Sequence, residues 1–235
     1  MKNKIQAPKA KKILKTIAAH NDARHDYYYW LNDATNPEVI DYLKKENIYC
    51  DHMMSHTNSF QATLFNEMKL RIKEDDESVP YKFNGYWYIV KYEVGKDYPI
   101  YIRRKESLSA LDEILFDCND MASGHAYFRL SGISVSPDNT KVAYGIDTLG
   151  RRQYTIYVKD LKTSKLLSKD IINTTGSSTW ANDNKTIYYT ANDTITLRSN
   201  KIYKHFLGTT GEDTLVYNEL DETFNTTVYK TKSQQ

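Results

Sequence analysis

The chain is poor in the residues that would build a covalent or metal scaffold: two cysteines, Cys50 and Cys118, among 235 residues. That excludes a disulfide framework, and neither cysteine has a metal-type partner close in sequence, so a reducing compartment is the natural reading. Charge of one sign is also missing. With 32 basic and 30 acidic side chains the formal net charge is +2, so no overall field favours nucleic acid or an anionic membrane. No apolar run is long enough to span a bilayer, and "MKNKIQAPKAKKILK" has no apolar stretch of secretory length. The expected location is the cytoplasm, with the periplasm open if a leader has been removed. What the chain has in quantity is tyrosine, 20 of them beside three tryptophans, a composition suited to strands and half-buried sheet surfaces.

Two regions differ in period. From Asn36 the text "NPEVIDYLKKENIYCDHMMSHTNSFQATLFNEMKLRIKEDDESVP" opens with an N-cap residue, Pro37 at the first helical position and Glu38 in the first turn. Apolar or aromatic side chains recur at Val39, Leu43, Cys50, Met53, Phe60, Leu64, Met68 and Ile72, mostly in steps of three, four or seven, up to Pro80. This predicts one long helix, kinked near Thr57–Ser59 and roughly 50 Å long, whose stripe must lie on another surface. The reading places a helical arm over 1–75 and strands over 76–235.

After Pro80 the period is two. "GYWYIVKY" and "YPIYIRR" form a hairpin around "EVGKD", and "GISVS", "KVAYGI" and "QYTIYVKDL" repeat the pattern around "PDNT" and "DTLGRR". "STW", "KTIYYT" and "NKIYKHFLG" follow. "SPDNTKVAYG" lies over "ANDNKTIYYT" with Asp138 on Asp183, 45 residues on, and Ile156 falls on Ile202 at 46. An earlier copy aligns Tyr88 with Tyr144 and Ile100 with Ile156 at 56, the excess matching the insert "ESLSALDEILFDCNDMASGHAYFRLSG". Such periods belong to β-propeller blades, and the Asp-Asn pairs suit type I or I′ turns. Chance likeness between hairpins is the plain alternative. A third blade is expected to begin at "DTLVYNE" and "FNTTVYKTKSQQ". The fold class is mainly β: an incomplete propeller of about two to three blades behind a long N-terminal helix. A propeller needs at least four blades to close, so the chain reads as part of a longer protein.

The stretches "DARHDYYYWLND", "NPEVIDYLKKEN", "RIKEDDESVPYKFNGYWY", "YPIYIRRK", "SPDNTKVAYGIDTLGRRQYTIYVKDL", "WANDNKTIYYT", "TLRSNKIYKHFLGT" and "DTLVYNELDETF" resemble, in order, the N-terminal part of the oligopeptidase B branch of the prolyl oligopeptidase family of serine peptidases. The resemblance implies a seven-bladed propeller inserted into an α/β-hydrolase domain on which the helical arm packs. It implies cleavage of short peptides after Lys or Arg through an acyl-enzyme, and no cofactor. The partners it implies are the chain's own C-terminal hydrolase domain and short basic peptides, with no nucleic acid and no membrane. The family's nucleophile sits on a G-x-S-x-G elbow, followed by Asp and His. "SGIS" at 131–134 and "TGSS" at 175–178 lack the second glycine, so no catalytic residue is expected in this chain.

Arg151 and Arg152 in "DTLGRRQY" offer planar forks for a carboxylate, either facing the peptide channel or the hydrolase domain, or bracing neighbouring blades through acidic turn residues. Asp75, Asp76 and Pro80, where helix gives way to strand, are the candidate hinge, though any polar linker reads so. His52 and His56 have the i, i+4 spacing of a metal pair but no third ligand, so a solvated helix face accounts for them and no metal site is expected. Lys2, Lys4, Lys9, Lys11, Lys12 and Lys15 form a basic terminus without interleaved aromatics, unlike a nucleic-acid arm. The alternative to an oligopeptidase portion is a stand-alone, propeller-like binding module. Unpartnered apolar surfaces on an isolated chain predict self-association.

Overall fold

The structure, a computed structural model, describes residues 5–233; Lys2 and Lys4 lie outside the described residues. The chain divides into two compact units, Met1–Lys73 and Glu74–Gln235.

The first unit holds a hairpin of β1 (Lys15–Ala19) and β2 (Asp22–Asp26) that the sequence reading missed. Its signal was the pair His20 and Asn21, both left-handed at φ 52° and 61°, as a type I′ turn requires. The strands carry almost no apolar alternation, which hid them. Helix α1 (Pro37–Met54) starts as expected, with Asn36 Oδ1 accepting from the Glu38 amide at 2.9 Å. The predicted kink is a 3-10 turn at Ser55–Thr57, beyond which α2 (Asn58–Leu70) continues. Val39 is buried, whereas Leu43, Met53, Phe60, Leu64, Met68 and Ile72 are exposed.

The second unit is built of blades. The first has its innermost strand in two pieces, β3 (Asp76–Glu77) and β4 (Tyr81–Phe83), both paired to β5 (Tyr86–Tyr92), followed by β6 (Ile100–Lys105) and β7 (Glu113–Asp117). Pro80 falls in the break, the place in a strand where a missing N–H costs no ladder bond. The supposed insert therefore contains the outer strand β7 and a short helix, α3 (Cys118–Ala122). A seven-stranded sheet follows: β8 (Arg129–Val135), β9 (Lys141–Asp147), β10 (Tyr154–Asp160), β11 (Ile171–Trp180), β12 (Thr186–Asn192), β13 (Ser199–Phe206) and β14 (Thr214–Asn218), each antiparallel to the next. It is two blades joined through one strand. β11 closes the second blade near Ile171–Thr174 on β10 and opens the third near Ser178–Trp180 on β12. Thus "DTLVYNE" does not begin a new blade. It supplies β14, the outer strand of the third, and 224–233 forms no strand.

The register also corrects the first repeat. Tyr157 faces Tyr144 and Tyr203 faces Tyr189, but Tyr101 faces Val90, so Val90 rather than Tyr88 occupies the Tyr144 position.

Burial follows from stacking. Along β9, Val142 and Tyr144 pack with Tyr88, Leu115, Phe116 and Phe128 toward the first blade, while Ala143 packs with Ile156, Trp180 and Ile187 toward the third. Side chains alternate faces, and both faces are covered, so Val142–Gly145 is continuously buried. Burial pushes the phenols of Tyr88, Tyr144 and Tyr189 up, Tyr144 to about 12. An acid whose pKa is raised by folding stabilises the fold below its ordinary pKa, near 10, and that contribution is lost as pH rises from there toward the raised value. Buried Lys159, lowered by desolvation, shifts the balance the other way below the ordinary lysine pKa. With four buried tyrosines, Tyr154 among them, and the buried Cys118 thiol pushed up to about 12, against one lysine, the melting temperature is expected to fall steeply above about pH 10, and Tyr144→Phe should flatten the fall. An unchanged alkaline limb in that variant would sink the assignment.

Candidate functional site

Antiparallel strands put the turns between first and second strands at one end of the blades and the loops between second and third strands at the other. Each end carries a groove.

At the first end a cavity of about 560 Å³ is lined by the innermost strands of successive blades: Tyr81 and Phe83, then Ile133–Val135, then Thr179 and Trp180, with Lys230 and Lys232 beside them. Tyr81 stacks on Tyr88 at 5.2 Å. Trp180 Nε1 donates to Ser134 O at 2.8 Å, linking two innermost strands. The walls are aromatic and aliphatic with lysines at the rim, a surface that can pass or hold a peptide but has no acid, base or nucleophile constellation.

The turns at this end are stitched together. Asn84 Nδ2 donates to Pro137 O at 2.7 Å and Asn139 Nδ2 returns a bond to Asn84 O at 3.0 Å. The Asp138 amide donates to Asn184 Oδ1 at 2.9 Å. Asn84, Asn139 and Asn184 are all left-handed, at φ 45°, 60° and 58°, a region asparagine tolerates better than other side chains. Burial pushes the Asp138 carboxyl up, but bonds from Ser136, Thr140 and Lys141 outweigh it and hold the group at about 2. Arg103, 4% exposed, lies over the Tyr86 ring, pairs with Glu113 at 2.8 Å and donates to Asn139 O.

At the opposite end, a groove of about 520 Å³ is lined by Arg151, Arg152 and Tyr154 of the second blade and by Asn192, Leu197 and Ser199 of the third, with Thr175 and Asn225. The loop that carries the arginines is fixed by Asp147, 1% exposed. Its Oδ1 accepts from the amides of Leu149 at 2.8 Å and Gly150 at 3.0 Å, and its Oδ2 from Arg152 at 2.8 Å. Both arginine side chains are exposed, and neither joins an ion pair among the described residues; no carboxylate braces them, and the fork is presented to the groove.

Of the other sequence candidates, Asp75 immediately precedes β3, Asp76 sits in β3 opposite Tyr92, and Pro80 lies in the break between β3 and β4. His52 lies in the last turn of α1, while His56 falls in the 3-10 turn with Nδ1 3.0 Å from Met53 O. Both are exposed and they do not share one regular helix. The serines of "SGIS" and "TGSS" lie in β8 and β11, not at a strand-to-helix turn. Asp147 escaped the sequence reading; its signal was an aspartate at a strand end two residues before Leu149-Gly150.

Stacked four-stranded blades that follow a helical segment in sequence have known relatives. The profile of the prolyl oligopeptidase N-terminal beta-propeller domain matches residues 8–235. The chain belongs to this family. As a member of the prolyl oligopeptidase propeller domain it is 39% identical to dipeptidyl aminopeptidase BI of Pseudoxanthomonas mexicana, over 92% of this chain and 32% of that protein. It is 33% identical to Protease 2 of Moraxella lacunata, over 98% of this chain and 34% of that one. The structure of oligopeptidase B from Leishmania major superposes with a TM-score of 0.87 at 27% identity, covering 96% of this propeller chain and 34% of the other. The chain spans about a third of the length of the relatives it matches.

Proposed function

We propose that this chain is the non-catalytic N-terminal portion of a serine oligopeptidase that cleaves short peptides after Lys or Arg, and that it gates substrate access to a hydrolase domain carried further along the protein. One observation carries this: a family match over 8–235 that spans a third of each relative and contains no G-x-S-x-G elbow. The aromatic groove of the innermost strands fits passage of an extended peptide. The exposed stripe on α1 and α2 fits the arm's packing on that hydrolase domain. The unpaired Arg151–Arg152 fork suits a carboxylate of substrate or of the hydrolase domain.

The relative at 39% identity is named a dipeptidyl aminopeptidase, which favours release of dipeptides from the amino end as the second reading. The test is the reading frame beyond Gln235: its product is assayed beside this chain on an Arg-linked blocked chromogenic peptide and on an unblocked dipeptidyl substrate. Cleavage of the blocked peptide by the long product alone is the expected result. Cleavage of the unblocked substrate alone would replace the specificity, and a stop codon directly after Gln235 would overturn the reading in favour of a binding module. In the active long form, Arg151→Ala is expected to lower kcat/KM with the propeller still folded.

A further inference from the structure

The first and second blades meet at a turn whose own chemistry is unstable. Asn84–Gly85 is the sequence's single Asn-Gly pair. It forms the two-residue turn between β4 and β5, where Phe83 pairs with Tyr86. Asn84 is exposed. A Cβ built on Gly85 meets nothing within 4 Å, and among the described residues the Gly85 N–H donates to no group. The carbonyl of Gly85 is held by the Glu106 amide at 2.8 Å. The side chain of Asn84 is meanwhile committed across the blade boundary, through Nδ2 to Pro137 O.

We propose that Asn84 is a site of spontaneous deamidation and that the conversion unclips the first blade from the second. Once Asn84 Nδ2 leaves Pro137, the deprotonated amide nitrogen of Gly85 attacks Asn84 Cγ. The Cγ–Nδ2 bond breaks, ammonia departs, and a succinimide closes; water then opens the ring at either carbonyl to leave aspartate or isoaspartate. Neither product has a donor for Pro137 O. Each instead places a carboxylate in the turn pair that already contains ionised Asp138, where like charges repel. Isoaspartate also lengthens the backbone by one methylene, which the two-residue turn opposite Asn139 cannot absorb in register. The other asparagines at equivalent turns, Asn139 and Asn184, precede Thr140 and Lys185, whose side chains crowd the attacking nitrogen. The first boundary therefore carries the weak point, and the second does not.

The test is peptide mapping of the whole chain after incubation in mildly alkaline buffer, with isoaspartyl methyltransferase labelling to separate the two products. Conversion at Asn84 ahead of every other asparagine is expected; an intact Asn84 while another asparagine converts would overturn the site. Amide hydrogen exchange on aged protein and on Asn84→Asp then reads the consequence. Amides of 136–141 should exchange roughly five- to tenfold faster, the effect of losing one hydrogen bond, with those of 182–186 unchanged. Wild-type exchange at 136–141 in fully converted protein would overturn the unclipping. Should Asn84→Asp fail to fold, the aged wild-type sample gives the same readout.

Discussion

Gly132→Ala is expected to cost this propeller about 3–5 kcal/mol, the combined effect of backbone strain and a core overlap. Gly132 lies in β8 at φ +62°, and an added Cβ would stand 2.0 Å from the carbonyl oxygen of Gly176 and 2.8 Å from Ser177 Cα. Both obstacles are backbone, so no side chain can swing away. The crowding has a topological cause. β11 must leave the edge of one blade and become the innermost strand of the next, and it does so by crossing β8 and β9 at Gly132, Gly145 and Gly176. Gly145 would place its Cβ 2.5 Å from Gly176 Cα, and Gly176 itself is at φ +86° against the Tyr154 ring. Three glycines let three backbones meet where side chains would hold them apart. Urea denaturation followed by tryptophan fluorescence reports the loss, because Trp180 is anchored to Ser134 beside this crossing. Gly211→Ala is the control, since a Cβ there meets nothing within 4 Å. A Gly132→Ala midpoint as close to wild type as the control would refute the crossing argument.

That crossing shows where the sequence was readable and where it was not. Strands β5, β6, β8, β9, β10, β12 and β13 announce themselves by alternation and by the repeated turn text, because each is local. β11 shows only its last piece, "STW": "IINTTGSSTW" serves two blades, and its division at Gly176 is set by contacts with residues some 30 to 45 positions earlier. β7 was hidden for the related reason that "EILFD" sits among turn formers and buries Leu115 and Phe116 in a cluster completed by Val142 and Tyr144 of the next blade. The asparagine turns were legible as turns, from their tolerance of the left-handed region. Their bonds between blades were not, since Asn84 and Pro137 are joined by the stacking of whole sheets. The same limit held at the candidate site. A pair of arginines is visible as a possible fork, but what aims it is a buried carboxylate whose three partners are backbone amides, and amides leave no mark in a sequence.

Asp147→Ala should therefore separate the arginines from their support. Its carboxylate receives three amides from a five-residue arc, and Arg152 is held at φ 57°, an unfavourable setting for a residue of that size. Removing the carboxylate returns those amides to water in an exposed loop, while the end of β9 loses its cap. The loss is expected on the order of 2–4 kcal/mol, since hydrogen bonds to a charged acceptor count for more than neutral ones and hydration recovers part. Asp147→Asn keeps one oxygen for Leu149 and Gly150 but turns an NH₂ toward the Arg152 amide, donor against donor. It should lie between wild type and alanine in stability yet loosen Arg152 as fully. Hydrogen exchange distinguishes the two effects: in Asp147→Asn the Arg152 amide should exchange freely while that of Leu149 keeps its protection. In the longer protein the asparagine variant should then reproduce the kinetic loss of Arg151→Ala with both arginines still present. If it turns over at the wild-type rate with a freely exchanging Arg152, the rigid presentation of the fork has no part in catalysis, and the groove at that end serves the fold alone.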